Sequence, residues 1–273
     1  MSRKIESIEE LHAYALRMLK FMDDVCRENG LTYFLSGGSV IGAVRHQGFI
    51  PWDDDADVML PRADYERFLD VMERRAAEGR DAPYKVGSVR NRADWSFPFA
   101  RIWDDSTRVV YHNLNEAPTG IFIDVYPMDG LPDGLRRTKL HYLRVKLLHA
   151  CLFASIRKRF KPGERFVPLK KLLAVFMRKI GPRRICMRID RIAAKRPFDS
   201  ANYVGCAVLA HYMARERFPR RAFDQGVYMP FEDVQLPVPN DSHAYLSALY
   251  GDYMQFPDEA ARAVGHQMDV YVK

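Results

Sequence analysis

Between Asp53 and Asp57 the chain places four aspartates in five positions, Asp53, Asp54, Asp55 and Asp57. Like charges held this close repel one another unless something positive sits among them. Carboxylate oxygens are the donors that Mg²⁺ and Mn²⁺ prefer. The run Asp55-Ala56-Asp57-Val58-Met59-Leu60 alternates as a strand does, and residues i and i+2 of a strand face the same way. Asp55 and Asp57 are therefore expected to present two carboxylates side by side. A calcium loop of the EF-hand type is a poor fit, because its glycine position is Val58 and its closing glutamate position is Asp64, beyond Pro61. A solvated acidic turn is the plain alternative.

The surroundings add to that pair. Leu31 to Leu35 is a short apolar run that predicts a strand, delivering Ser36-Gly37-Gly38-Ser39 at its end. Ser39 to Arg45 predicts a short helix whose N-terminus faces whatever the glycines approach, an arrangement in which backbone amides hold phosphate. Further on, "GIFIDVYPMDG" predicts a strand that sets Asp124 amid apolar residues. A buried carboxylate there needs a partner or a metal. It is either a structural acceptor or the third carboxylate of the set.

Other side chains near these have two readings each. Arg45 and His46, between the glycines and the acids, could contact a phosphate or lie on the surface of a short helix. Trp52 could stack on a base or meet an ammonium group through cation–π attraction, or pack in the core. Arg101 in "FARIW" is a phosphate candidate or a salt-bridged structural arginine. Asp53 and Asp54 orient the metal ligands from behind, or are simply solvated.

The elements that must position these residues follow from periodicity. Residues 7 to 29 predict a helix, with Ser7 and Glu10 in capping-box spacing and Asn29-Gly30 at its end. Arg62 to Glu78 predicts another. Strand-like runs occur at Tyr84 to Val89, Phe97 to Trp103, Arg108 to Tyr111 and Gly120 to Tyr126. Strands and helices interleaved in this way point to an α+β fold, a mixed sheet flanked by helices. Helices are expected at about 134 to 160, 167 to 180 and 182 to 195, broken by Pro162-Gly163 and Gly181-Pro182. The organisation expected is a catalytic core over 1–133, a basic helical segment over 134–200, and a loop-rich, aromatic region over 201–273 that completes the catalytic domain.

Composition narrows the classes. The chain has 273 residues and is 48% hydrophobic, as an ordinary globular protein is. No apolar run approaches the roughly 18 residues of a spanning helix, and the N-terminus has no signal-peptide core. The expected location is the cytoplasm. Cys26, Cys151, Cys186 and Cys206 are far apart, without a Cys-x-x-Cys pair, so neither a zinc site nor a disulfide framework is signalled. The net charge of +7 hides an asymmetry. From Arg136 to Arg196 twenty lysines and arginines face two acids, Glu164 and Asp190, which gives +18 for that segment and −11 for the rest.

The stretch "LSGGSVIGAVRHQGFIPWDDDADVMLPRADYERF" resembles the LicD family, phosphocholine transferases of bacterial surface glycans, to which fukutin and fukutin-related protein are distantly similar. "FPFARIWDDSTRVV", "GIFIDVYPMDGLP" and "FEDVQLPVPNDSHAYLSALYGDYMQFP", followed by His266, are similar to later blocks of the family. The likeness spans most of the chain except the basic middle. One departure is Ala56, where relatives often carry a larger aliphatic residue.

The resemblance implies a nucleotidyltransferase-like fold, with Gly37, Gly38 and Ser39 on the donor phosphates, Asp55 and Asp57 as the pair on Mg²⁺ (or Mn²⁺), and Asp124 as the third carboxylate. It also implies a CDP-linked alcohol donor, CDP-choline above all, a glycan hydroxyl as acceptor and CMP as leaving group. Asp124 could complete the metal shell or take the acceptor's proton. The closest rival is a nucleotidyltransferase that attaches a nucleoside monophosphate to a small molecule; a non-catalytic adaptor fits the intact aspartates less well. The basic helices suit either an anionic membrane surface presenting a lipid-linked glycan at the inner face of the cell membrane, or a solvated face over a core-facing stripe. Nucleic acid is not expected as a partner, since no recognition fold accompanies the charge.

Overall fold

The computed structural model describes residues 2–159, 164–258, 262 and 268–273. The Pro162-Gly163 break and His266 lie outside these. The N-terminal half runs β1 (Arg3–Ile5), α1 (Ile8–Glu28), β2 (Phe34–Leu35), α2 (Gly37–Ile41) with a π turn over Gly42–His46, β3 (Asp57–Pro61), α3 (Arg62–Ala77), β4 (Tyr84–Gly87), β5 (Ala100–Asp104), β6 (Thr107–Tyr111) and β7 (Phe122–Leu131). It continues through α4 (Leu135–Ile156), α5 (Val167–Ile180), α6 (Pro182–Ala193), β8 (Tyr203–Gly205), β9 (Phe218–Pro219), β10 (Gly226–Phe231), β11 (Val234–Pro239), α7 (Ser242–Tyr250) and β12 (Met268–Val272).

The central sheet has the order β2-β3-β7-β5-β4, and β8 pairs with the far end of β7. β3 and β7 run parallel, whereas β2, β5 and β8 are antiparallel to their neighbours, so the sheet is mixed as expected. Every residue of β7 is buried, which is why it reads as a nearly continuous apolar run broken by its aspartates. Helix α1 covers the sheet with Ala15, Met18, Leu19, Met22, Val25 and Cys26 on its buried stripe. The Ser7 hydroxyl accepts from the Glu10 amide as an N-cap, but the Glu10 carboxylate turns to Arg3 and leaves the capping box half made.

Several boundaries differ from expectation. The strand expected over Leu31 to Leu35 is confined to Phe34 and Leu35, opposite Met59 and Val58, and the Ser36 amide donates to the Asp57 carbonyl in line with that pairing. Strand β3 starts at Asp57, so Asp55 lies in the irregular segment before it. The strand expected to end at Tyr126 continues to Leu131, because β8 supplies partners for its last three residues. The region after 200, expected to be loop-rich, contributes four strands to its described part before the last, and Pro237 and Pro239 sit in the two-stranded β10–β11 hairpin rather than in loops.

The basic helices are close to their expected limits, and α6 is tied to the sheet through a largely buried ion-pair network. Arg62, at the start of α3, donates to Asp129 on β7 at 2.7 and 2.8 Å and to Asp190 on α6 at 2.7 Å. Asp129 is wholly buried; burial raises its pKa against the pull of Arg62. Among the described residues no helix is long and apolar enough to cross a membrane. Cys26, Cys186 and Cys206 are buried free thiols and Cys151 is half-buried.

Candidate active site

The parallel register of β3 on β7 sets Asp57 opposite Asp124, and the antiparallel register of β5 sets Arg101 opposite Asp124. Directly opposed residues share a face, so Asp57, Asp124 and Arg101 form a row across three strands. Tyr126, two residues beyond Asp124, joins them. Its hydroxyl lies 2.9 Å from Asp57 Oδ1 and 3.3 Å from Asp124 Oδ2, donating to the carboxylate pair.

Arg101 is buried and grips Asp124 with both Nε and Nη2. Its Nη1 donates to the Tyr111 hydroxyl at 2.7 Å and lies 3.7 Å from Glu116 Oε2. The guanidinium sits 3.5 Å from the Phe97 ring centre and 3.7 Å from that of Phe122. Burial alone would lower the pKa of such a group; Asp124 and the Tyr111 oxygen overcome it and raise the Arg101 pKa. Of its two sequence readings, the salt-bridged arginine is the one this geometry matches.

Asp57 is in the opposite position. Burial, and then the charges of Asp55 and Asp124, push its pKa well above the ordinary carboxylate value, against the help of the Tyr126 hydroxyl. Its backbone amide donates to Ser39 Oγ at 2.9 Å, which pins the glycine-serine element onto β3. Gly37 adopts φ +52°, and a Cβ there would stand 3.4 Å from Asp57 Oδ2. A Cβ on Gly38 would stand 2.8 Å from Asp53 Oδ2. The two glycines thus keep the space over Asp53 and Asp57 clear, and the left-handed backbone at Gly37 disfavours any other residue. The Gly37 amide itself donates to the Tyr245 hydroxyl at 3.0 Å.

Asp53, Asp54 and Asp55 are half-buried, and one carboxylate oxygen from each lies within 4.8 Å of the others. Asp55, Asp57 and Asp124 do not form so tight a group among the described residues; Asp55 belongs to the acidic run and Asp124 is held by Arg101.

Arg45, His46 and Trp52 gather with Phe256. Arg45 Nε donates to His46 Nε2 at 3.0 Å and Nη1 to the Tyr253 carbonyl at 2.6 Å. The Arg45 guanidinium stands 4.8 Å from the Phe256 ring, and Arg262 stands 5.0 Å from that of Trp52. Burial and then Arg45 lower the His46 pKa, so this imidazole is neutral near pH 7.

A cavity of about 300 Å³ opens beside Arg101, walled by Phe97, Phe99, Tyr111, Glu116 and Phe122 from the sheet side and by His149, Leu152, Phe153 and Ile156 of α4. Phe99 touches the Tyr126 ring edge to face, 4.7 Å between centres, which links the cavity to the carboxylate row. A larger recess, about 630 Å³ beside β4 and β5, holds none of the three aspartates.

Sequence reasoning missed Tyr126, Tyr111, Glu116, Tyr245 and Phe256. Alternation along β7 could have found Tyr126. The others reach the site from 10 to more than 200 residues away and carry no local signal.

Residues 30–141 match the model of the LicD/FKTN/FKRP nucleotidyltransferase domain. The chain is similar to the lipopolysaccharide cholinephosphotransferase LicD of Haemophilus influenzae, 29% identical over 275 residues that cover 97% of this chain and 98% of that protein. It is also similar to uncharacterised proteins of Rickettsia typhi, 35% identical over 24% of this chain and 21% of that one, and of Rickettsia prowazekii, 38% over 18% of each. Asp57, Asp124, Arg101 and both glycines fall inside the stretch that matches the LicD/FKTN/FKRP nucleotidyltransferase domain.

Proposed function

We propose that this protein transfers phosphocholine, or a related phospho-alcohol, from a CDP-linked donor to a hydroxyl of a cell-surface glycan and releases CMP. The observation that carries the reading is the Asp57–Asp124 pair with Gly37 and Gly38 held open beside it. Full-length similarity to a lipopolysaccharide cholinephosphotransferase supports the choice of group and acceptor.

The donor set fits a divalent cation. Burial, and then the charges of Asp55 and Asp124, raise the Asp57 pKa, so a positive charge beside it would be stabilising; Asp53, Asp54 and Asp55 add hard oxygen atoms nearby. Asp55 and Asp57 would hold Mg²⁺ or Mn²⁺, with Asp53 and Asp54 at their side and Asp124 next to them. Such an ion neutralises charge on the phosphates and on the leaving group.

The chain's own residues do the rest. Gly37 and Gly38 leave room for the pyrophosphate to approach the carboxylates. Arg101, through its paired contact, fixes Asp124, and Tyr126 fixes Asp57 and Asp124 relative to each other. The acceptor oxygen forms its bond to the phosphorus bearing the choline, and the bond from that phosphorus to the bridging oxygen breaks. CMP leaves with the bridging oxygen, and the hydroxyl proton passes to a carboxylate of the Asp57–Asp124 pair.

Incubating the protein and Mg²⁺ with a panel of CDP-alcohols, with and without candidate glycans, tests this. Glycan-dependent CMP release with a phosphocholine-bearing product is the expected result. Pyrophosphate release with a nucleotidylated acceptor would overturn it in favour of nucleotide attachment.

A further inference from the structure

The helices that follow β7 present an apolar surface to solvent. Of the large apolar side chains that stand exposed among the described residues, all but Val227, Tyr228, Met254 and Phe256 lie between Leu135 and Phe176. On α4, Leu140, Leu143 and Leu147 recur at i, i+3 and i+7; on α5, Leu169, Leu172 and Phe176 repeat the spacing. That spacing puts each trio on one helix face. The six side chains are between 46% and 68% exposed. Helix α5 buries only Ala174 and Met177 of its 14 residues. An ordinary soluble surface seldom leaves two such apolar helix faces uncovered.

What covers it is indicated by charge. The same stretch, Arg136 to Arg196, carries twenty lysines and arginines against two acids. A second copy of this chain would bring +18 against +18 across a shared face, which Coulomb repulsion opposes. An anionic surface with an apolar layer beneath meets both properties at once: the leucines and Phe176 enter the acyl boundary and the basic side chains reach the headgroups. We propose that α4 and α5 dock the protein on anionic phospholipid.

The cavity beside Arg101 belongs to the other side of α4, the side that Leu152 and Ile156 turn toward the sheet and away from Leu140, Leu143 and Leu147. Phe153 of α4 lines that cavity and is 53% exposed, and Leu152 and Ile156 form the wall behind it. The docking itself does not depend on which group is transferred.

Flotation of the full chain with vesicles of neutral phosphatidylcholine, and with vesicles in which about a third of the lipid is phosphatidylglycerol, reads this without any substrate. Binding is expected to the anionic vesicles alone and to fall steeply as salt rises from about 0.1 to about 0.5 M. Leu172→Ser and Phe176→Ser should each weaken it by about tenfold or more. Their thermal midpoints should equal that of the unaltered chain, since both side chains are exposed. A charge variant, Lys171→Glu with Lys179→Glu, should weaken binding with the apolar face intact. The proposal is overturned by equal binding to both vesicles, by undiminished binding of these variants, or by no vesicle binding together with a dimer in light scattering that Phe176→Ser dissolves.

Discussion

On the sheet, Arg101 is buried and its guanidinium meets Asp124, Tyr111 and the rings of Phe97 and Phe122; on α5, Lys171 stands exposed beside an equally exposed Leu172. The first region withdraws charge from water and must therefore supply a fixed partner from another strand for each charged group. The second leaves charge in water and apolar groups with it. Desolvation explains the contrast: a buried charge without a partner is far more costly than an exposed one, so only the sheet needs exact registers. A surface helix can carry twenty basic residues along its neighbourhood with few constraints on where each one points.

The largest effect is expected from Asp57→Asn. The variant should lose at least about a thousandfold in CMP release, yet fold with an equal or higher thermal midpoint, because it removes a buried charge that Asp55 and Asp124 oppose. Full activity would end the assignment of Asp57 to the metal pair. Arg101→Met should destabilise by about 3–5 kcal/mol in denaturant titration, since Asp124 is then buried without its counter-ion. Adding Asp124→Asn should recover part of that loss; a double variant no more stable than Arg101→Met would sink the pairing argument.

Glu216 lies at the seam between the two regions. It is buried after β8, where the Tyr142 hydroxyl of α4 donates to its backbone carbonyl. Burial pushes its carboxyl up to about 8, although the Cys206 amide donates to it. The folded pKa lies above the unfolded one, so the folded state binds the proton more tightly. Stability is then greatest below the unfolded value and falls as pH rises toward about 8, by an amount on the order of 3 kcal/mol near pH 7. Glu216→Gln should flatten this slope, with denaturation midpoints at pH 5 and about pH 8 brought together. The smallest effect is expected from Lys171→Gln, which should change stability by less than about 0.5 kcal/mol; a loss as large as that of Arg101→Met would mean the basic helices are not solvated as described.

Local patterning carried a good part of this. The face shared by Phe122 and Asp124, the glycine-serine turn before a helix, and the limits of α1, α3, α5 and α6 all follow from periods of 2 and 3.6 and from Asn29-Gly30 and Gly181-Pro182. Pairing between distant strands did not show. Nothing near Arg101 announces that β5 will lie antiparallel to β7 with Asp124 opposite it, and nothing near Gly37 announces Tyr245, 208 residues later. Alternation extends the strand to Asp55 because nothing in it marks that the ladder to β7 begins at Asp57. The exposure of Leu169 and Leu172 was equally hidden, because a helical leucine repeat looks the same whether it meets a core or open solvent.

Strand β7 bears Asp124 near one end and Asp129 near the other, and Arg62 clips the latter to Asp190 of α6. The sheet and the helical segment therefore share a stiff rod with a rivet at its far end. Force applied to α6 enters the strand five residues from the carboxylate that Tyr126 and Arg101 hold, so a body pressed against the helices and a nucleotide lying across the row would lean on the same piece of backbone.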